Sequence, residues 1–128
     1  MHPLTEAYLY AASRAQLLHT VVRPALDRGA IVISDRSVLS SLAYQGGAQG
    51  VSIEDILSLN ELALRGSEAD IIFGLSIDID TALSRTFDTA GDKFESYGRE
   101  FFERVVSAYA KVSQMPIFAS NWQNIDAS

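Results

Sequence analysis

Two short, predominantly apolar runs constrain the fold of this chain more than any other feature. Ile31-Val32-Ile33 and residues 70–77 (DIIFGLSI) lack the in-out alternation of a half-exposed strand. Strands of that kind have both faces covered and belong in the interior of a parallel sheet. A third, weaker strand is predicted at residues 121–125. The segments between them carry helical spacing. Leu4, Tyr8, Ala11, Ala15, Leu18, Val22 and Leu26 form one stripe, with Thr5 and Glu6 suited to a helix start. Pro24 should kink that helix or restart it, and Gly29 should end it. Ser52 and Asp55 make a capping-box-like pair ahead of a helix that runs to about Leu64 and stops at Gly66. Asp80 is expected to cap a short helix over 81–85, followed by a polar loop at 86–92. A long helix then carries Phe94, Phe101, Val105, Tyr109 and Val112 on its inner stripe. Helices alternating with apolar strands predict an α/β domain, a parallel sheet flanked by helices. Three strands are few for such a sheet, so the domain is expected to be partial.

The chain has 128 residues, the size of one domain, and should bury roughly two-thirds of its unfolded surface. Its 48% apolar and 20% charged residues exclude a disordered or fibrous chain. With 10 basic residues against 16 acidic ones, the net charge of −6 argues against a nucleic-acid polymer as partner. A single small phosphate ligand needs only two or three converging arginines and stays compatible. The absence of cysteine removes disulfides, thiolate nucleophiles and Cys-ligated zinc. No apolar run reaches the roughly 18 residues of a membrane span, and the first residues (MHPLTEAY) do not read as a secretory signal. No membrane partner and a cytoplasmic location are therefore expected.

Chemistry concentrates between Ile31 and Gly50 (IVISDRSVLSSLAYQGGAQG). Asp35 and Arg36 follow a predicted buried strand directly, which puts them at the carboxyl edge of the sheet, where open α/β folds bind ligands. An acid there commonly holds the magnesium of a nucleotide, and an arginine offers a planar fork to phosphate. Taken alone, the pair fits an ordinary loop ion pair equally well. The glycine-rich run 46–50 has no following lysine and reads as a turn rather than a phosphate cradle. Tyr10 and Arg14, four residues apart, share one helix face; alone they fit core packing and a solvated charge.

The ordered series of motifs is more specific than any one of them. TEAYLYAASRAQ, RPALDRGAIVISDRS and SSLAYQGG together resemble the thymidylate kinase family, and GDKFE, EFFERVVSAY and IDAS continue the likeness to the last residues. The resemblance implies a P-loop-type nucleoside monophosphate kinase fold, with residues 1–128 as a single partial domain. That domain would be the acceptor-binding half, with a lid at about 85–95 and the last strand at about 121–126. The implied reaction is phosphorylation of dTMP to dTDP, with ATP as donor and Mg2+ as cofactor; dTMP and ATP are the implied partners, and a homodimer is allowed. Tyr10 matches the aromatic that stacks on thymine and Arg14 the arginine at the base edge. Arg36 matches the arginine on the acceptor phosphate, and Asp35 the acid near metal and phosphates. Ser41 matches a residue that reads the pyrimidine, and Ser40 stands beside it as a loop cap or second contact. Tyr44 matches the tyrosine against the deoxyribose, a steric filter against ribonucleotides, and Gln45 lies near the base. Lys93 matches a lid position that supplies charge to the transferring phosphoryl, although a solvated lid charge fits as well.

The departures are informative. Neither lysine, Lys93 or Lys111, follows a glycine, so no G-x-x-x-x-G-K-[ST] sequence occurs in these residues. The resemblance places the P-loop strand, loop and helix before this segment and a last helix after it. On that basis the P-loop strand is absent between the first two predicted strands, and the isolated chain is expected to be inactive. Ser13 and Ser37 stand where the family has an acid and an aromatic or histidine. Arg99 and Arg104 read as surface ion pairs with Glu100 and Glu103. Two other readings remain open: a deoxynucleoside kinase, whose Glu-Arg-Ser resembles Asp35-Arg36-Ser37, and a non-catalytic nucleotide-binding module.

Overall fold

The computed structural model describes residues 1–87 and 98–128, which fall into two compact units, Met1–Glu68 and Ala69–Ser128. The expected lid at 85–95, with Lys93 and the GDKFE motif, lies largely outside the described residues, as does Phe94.

The first unit is helical. Helix α1 (Pro3–Leu17) continues through a π-helical turn, Leu18–Val22, into α2 (Arg23–Asp27). Pro24 at the second position of α2 has no N–H to give the preceding turn, and the backbone widens there: Arg23 N–H bonds the Leu18 carbonyl five residues back. Gly29 closes α2 as expected, with φ of 80°. Its N–H reaches Leu26 (2.9 Å) and that of Ala30 reaches Ala25 (3.0 Å), a Schellman motif. The buried stripe of this helical run keeps Ala11 and Leu18 of the one expected and adds Ala7. Ala7, Ala11 and Leu18 are buried, whereas Leu4 and Tyr8 are exposed. Bulk alone favoured Leu4 and Tyr8, but close approach to α4 needs small residues, and Ala7 and Ala11 supply them.

A second helical run, α3 (Val38–Ser41) with the π-helical Leu42–Ala48, packs beside α1 and α4 (Ile53–Leu64). Leu42, Ala43 and Ile56 at its centre are fully buried. Ser52 caps α4 through Asp55 N–H (3.2 Å), where the sequence places it. After Leu64, a type II turn with φ of 77° at Gly66 ends the helix, closed by Ser67 N–H on the Leu64 carbonyl (2.7 Å). Residues 31–34 do not form the expected strand: Ile31 and Ile33 are each 92% exposed. A strand exists through hydrogen bonds to a neighbour, and the described residues of this unit contain no other strand to pair with it.

The second unit is built on two parallel strands, β1 (Ile72–Ser76) and β2 (Trp122–Asp126), paired from Ile72 with Trp122 to Ser76 with Asp126. Gly74 allows that register. A Cβ on it would stand 2.6 Å from Trp122 Nε1, so only glycine leaves room for the indole. Helix α5 (Ile79–Phe87) is capped by Asp78 and not by Asp80: Asp78 Oδ1 accepts from Thr81 N–H (2.9 Å) and Oδ2 from the Thr81 hydroxyl (2.6 Å). These two bonds, the hydroxyl's first, hold the Asp78 carboxyl below its ordinary pKa. Asp80 instead meets Arg99 of α6 (Gly98–Ser113) at 2.6 Å, and Arg99 also pairs with Glu103 (3.0 Å). Arg104 lies over the Phe101 ring at 5.9 Å. Helix α6 buries Phe101, Val105, Ala108 and Val112, and the short α7 (Pro116–Ala119) leads to β2. Among the described residues no helix is long and apolar enough to cross a membrane.

Candidate functional site

Of the site residues singled out in the sequence, all but Lys93, which is outside the described residues, lie in the first unit, on α1 and along residues 35–45. Asp35 and Arg36 sit on the turn that leads into α3 and are exposed. Arg36 adopts φ of 70°, the left-handed region that favours glycine, and it alone among the non-glycine residues described does so. A non-glycine residue held there carries strain of about 1–3 kcal/mol, and such residues cluster at functional sites. Its carbonyl is fixed by the Ser34 hydroxyl (2.7 Å). Ser37 then caps α3: its Oγ accepts from Leu39 N–H (3.3 Å) and its carbonyl from Ser40 N–H (3.1 Å). The serine at this position thus has a structural task, to start the helix that carries Ser40, Ser41 and Tyr44. The Arg36 guanidinium lies over the Tyr44 ring, 5.3 Å from its centroid, a cation–π contact.

Arg14 reaches the same turn from α1. One Nη2 donates to the Ser41 hydroxyl (3.0 Å) and to the Ser37 carbonyl (3.2 Å), and Nη1 donates to Asn60 Oδ1 on α4. All three partners are neutral, and no carboxylate pairs with Arg14 among the described residues. Burial accordingly pulls its pKa below the ordinary arginine value, while a guanidinium stays protonated in proteins. The result is a partly buried positive charge whose balancing negative group is not supplied by its neighbours. Gln45, 5% exposed, turns its Nε2 to Glu6 Oε2 (3.4 Å). That bond leaves the Gln45 oxygen as acceptor. The π-helical backbone fixes Tyr44 and Gln45 through Gln49 N–H on the Tyr44 carbonyl (3.0 Å) and Val51 N–H on the Gln45 carbonyl (2.9 Å). Gly46 permits the close packing, since a Cβ there would meet Ile56 Cδ1 at 3.2 Å. The glycine-rich run is only partly the expected turn: residues 46–48 complete the π-helical segment, and the chain turns out of it at Gln49 and Gly50, where φ is 83°.

Arg14 and Ser41 are therefore in direct contact, and Arg36 and Tyr44 in direct contact. Tyr10 lies one turn before Arg14 on α1 with its side chain exposed. Three contributors were not singled out in the sequence: Asn60, Glu6 and the Ser37 carbonyl. Asn60 had a signal of its own, an asparagine spaced with Ile56 and Ala63 on the buried stripe of α4. A polar residue in that stripe must find a partner.

A helical unit with two arginines at one turn is followed in sequence by a unit built on two parallel strands. The family model for thymidylate kinase matches residues 1–128. The thymidylate kinase of Finegoldia magna is 44% identical over 84% of this chain and 54% of its own length. That of Synechococcus sp. (strain CC9902) is 40% identical over 95% of this chain and 56% of its own. The crystal structure of thymidylate kinase from Ehrlichia chaffeensis superposes with a TM-score of 0.74 at 24% identity, covering 100% of this chain and 57% of that one. This chain belongs to the thymidylate kinase family, and its fold is that of the P-loop nucleoside monophosphate kinases. It spans about half the length of the curated relatives it matches.

Proposed function

We propose that residues 1–128 form the acceptor-nucleotide half of a cytoplasmic thymidylate kinase, whose reaction is ATP-dependent phosphorylation of dTMP to dTDP. The observation that carries this reading is Arg14, a partly buried cation held by three neutral acceptors beside Ser41 and Gln45. The N–H groups of such a guanidinium can donate to the carbonyl edge of a flat base. In this reading Tyr10 stacks on the thymine, Arg14 donates to its carbonyl edge, and Ser41 and Gln45 complete the hydrogen bonds, with Ser40 as a further contact. Tyr44 packs against the deoxyribose, and Arg36 grips the 5′-phosphate. Catalysis of phosphoryl transfer is positioning and charge stabilisation, which is the work assigned to Arg36 and Asp35. Lys93, outside the described residues, keeps its proposed role at the transferring phosphoryl from the resemblance alone.

Asp35 offers one exposed carboxylate, and no group of three or more His, Cys, Asp or Glu side chains able to cage a metal exists among the described residues. Magnesium is held by one or two carboxylates together with substrate phosphates and water, so this donor set fits it. Magnesium at Asp35 would supply positive charge against the phosphate oxygens. Both units are assigned to one domain of the family's fold, supported by the family model matching the whole chain, and a homodimer is proposed as the assembly.

Calorimetry with the 128-residue chain tests the acceptor. The expected result is that dTMP binds more tightly than thymidine, and that Arg36→Ala removes the difference, a loss on the order of tenfold or more for a charged hydrogen bond. Thymidine binding as tightly as dTMP would favour the deoxynucleoside kinase reading instead.

A further inference from the structure

Asn60 is a polar side chain at the centre of the first unit, 1% exposed, on the face of α4 that also buries Ile56 and Ala63. An apolar residue would fill that position without having to satisfy an amide. Both ends of this amide are engaged. Nδ2 donates to the Ile56 carbonyl (2.8 Å), which determines which end of the amide is oxygen, and Oδ1 is thereby presented to Arg14 Nη1. A guanidinium has five N–H groups in a fixed plane. Asn60, Ser37 and Ser41 take three of those of Arg14, leaving Nε–H and one Nη1 N–H without partners among the described residues.

We infer that Asn60 is the positioning residue of Arg14, holding its guanidinium in one plane while leaving its charge undiminished for the ligand. The inference rests on the proposed reading of Arg14 as a base-edge donor. The choice of a neutral amide is its chemical content. An aspartate at the same place would also accept from the guanidinium, but as an ion pair and without the donor that the Ile56 carbonyl now receives. The charge offered to the ligand would then be spent inside the protein. Ser13, immediately before Arg14, is likewise neutral and exposed, so the immediate sequence neighbour leaves the charge intact as well.

The test compares two ligands on the 128-residue chain: dTMP, which has the base, and deoxyribose 5-phosphate, which lacks it. For the wild type, dTMP is expected to bind more tightly. In Asn60→Ala that advantage falls on the order of tenfold, while deoxyribose 5-phosphate binding stays unchanged. In Asn60→Asp the Arg14 side-chain NMR signals stay those of an ordered guanidinium, yet the dTMP advantage falls as well. In an Arg14→Ala background, Asn60→Ala adds no further loss, as expected of a residue acting through another. Asn60→Asp keeps the question decidable should Asn60→Ala fail to fold. Equal loss of both ligands, full retention of the dTMP advantage in Asn60→Asp, or additive losses in the double variant would overturn the role of Asn60. A wild-type chain with no preference for dTMP over deoxyribose 5-phosphate would instead overturn the base site itself.

Discussion

Two tasks are proposed for the half-buried Tyr44 ring, and one substitution tests them. The ring lies under the Arg36 guanidinium, and in the proposed site it fills the space beside the sugar. Excluding one hydroxyl by packing is a modest filter, about 10- to 200-fold. Tyr44→Ala should narrow the preference for dTMP over its ribonucleotide counterpart by that order, measured as two dissociation constants on the same preparation. It should leave phosphate affinity largely in place, because Arg36 keeps its charge and its backbone, with φ of 70° and the carbonyl bonded to Ser34, does not involve the ring. An unchanged ratio would make Tyr44 a packing residue only. Arg14 illustrates the same point about charge. Its proposed role comes from a motif match, but its three neutral partners were not legible, since Ser37, Ser41 and Asn60 lie 23 to 46 residues away in sequence.

At the scale of the elements, local signals held and non-local ones did not. Ser52 and Asp55 are three residues apart, so the start of α4 could be read directly, as could its stop at Gly66 and the end of α2 at Gly29. The strand expected at residues 31–34 depends on a neighbour that no local pattern supplies, and the segment is extended and exposed. The cap of α5 moved by two residues, from Asp80 to Asp78, because the Thr81 hydroxyl can bond a carboxylate three residues back, and Asp80 was taken by Arg99 across the unit. The parallel pair β1–β2 was legible as two strands, whereas its register was not, because it turns on the contact of Gly74 with Trp122. Gly74→Ala should displace the indole at an overpacking cost of about 1–3 kcal/mol. Trp122 is the single tryptophan, so its fluorescence reports the change directly, together with a lower unfolding midpoint. Unaltered emission and stability would mean that the register does not depend on this glycine.

Across the whole molecule, the chain divides into two compact units, and the described residues of the candidate site all lie in the first. The second unit carries Phe73 and Leu75 at 61% and 69% exposure, so its described residues leave these apolar side chains of the sheet uncovered. In parallel sheets of this fold class both faces are covered. The donor-phosphate sequence G-x-x-x-x-G-K-[ST] does not occur in these 128 residues, which separates binding from turnover. The account therefore centres on recognition of the acceptor by the first unit. The most direct measurement is a titration of the isotope-labelled 128-residue chain with dTMP, followed by NMR residue by residue. The expected result is saturable shifts confined to Tyr10, Arg14, residues 35–45 and Asn60, with the side-chain signals of Arg14 among the largest. Shifts confined to the second unit, or none up to the solubility of the nucleotide, would contradict it.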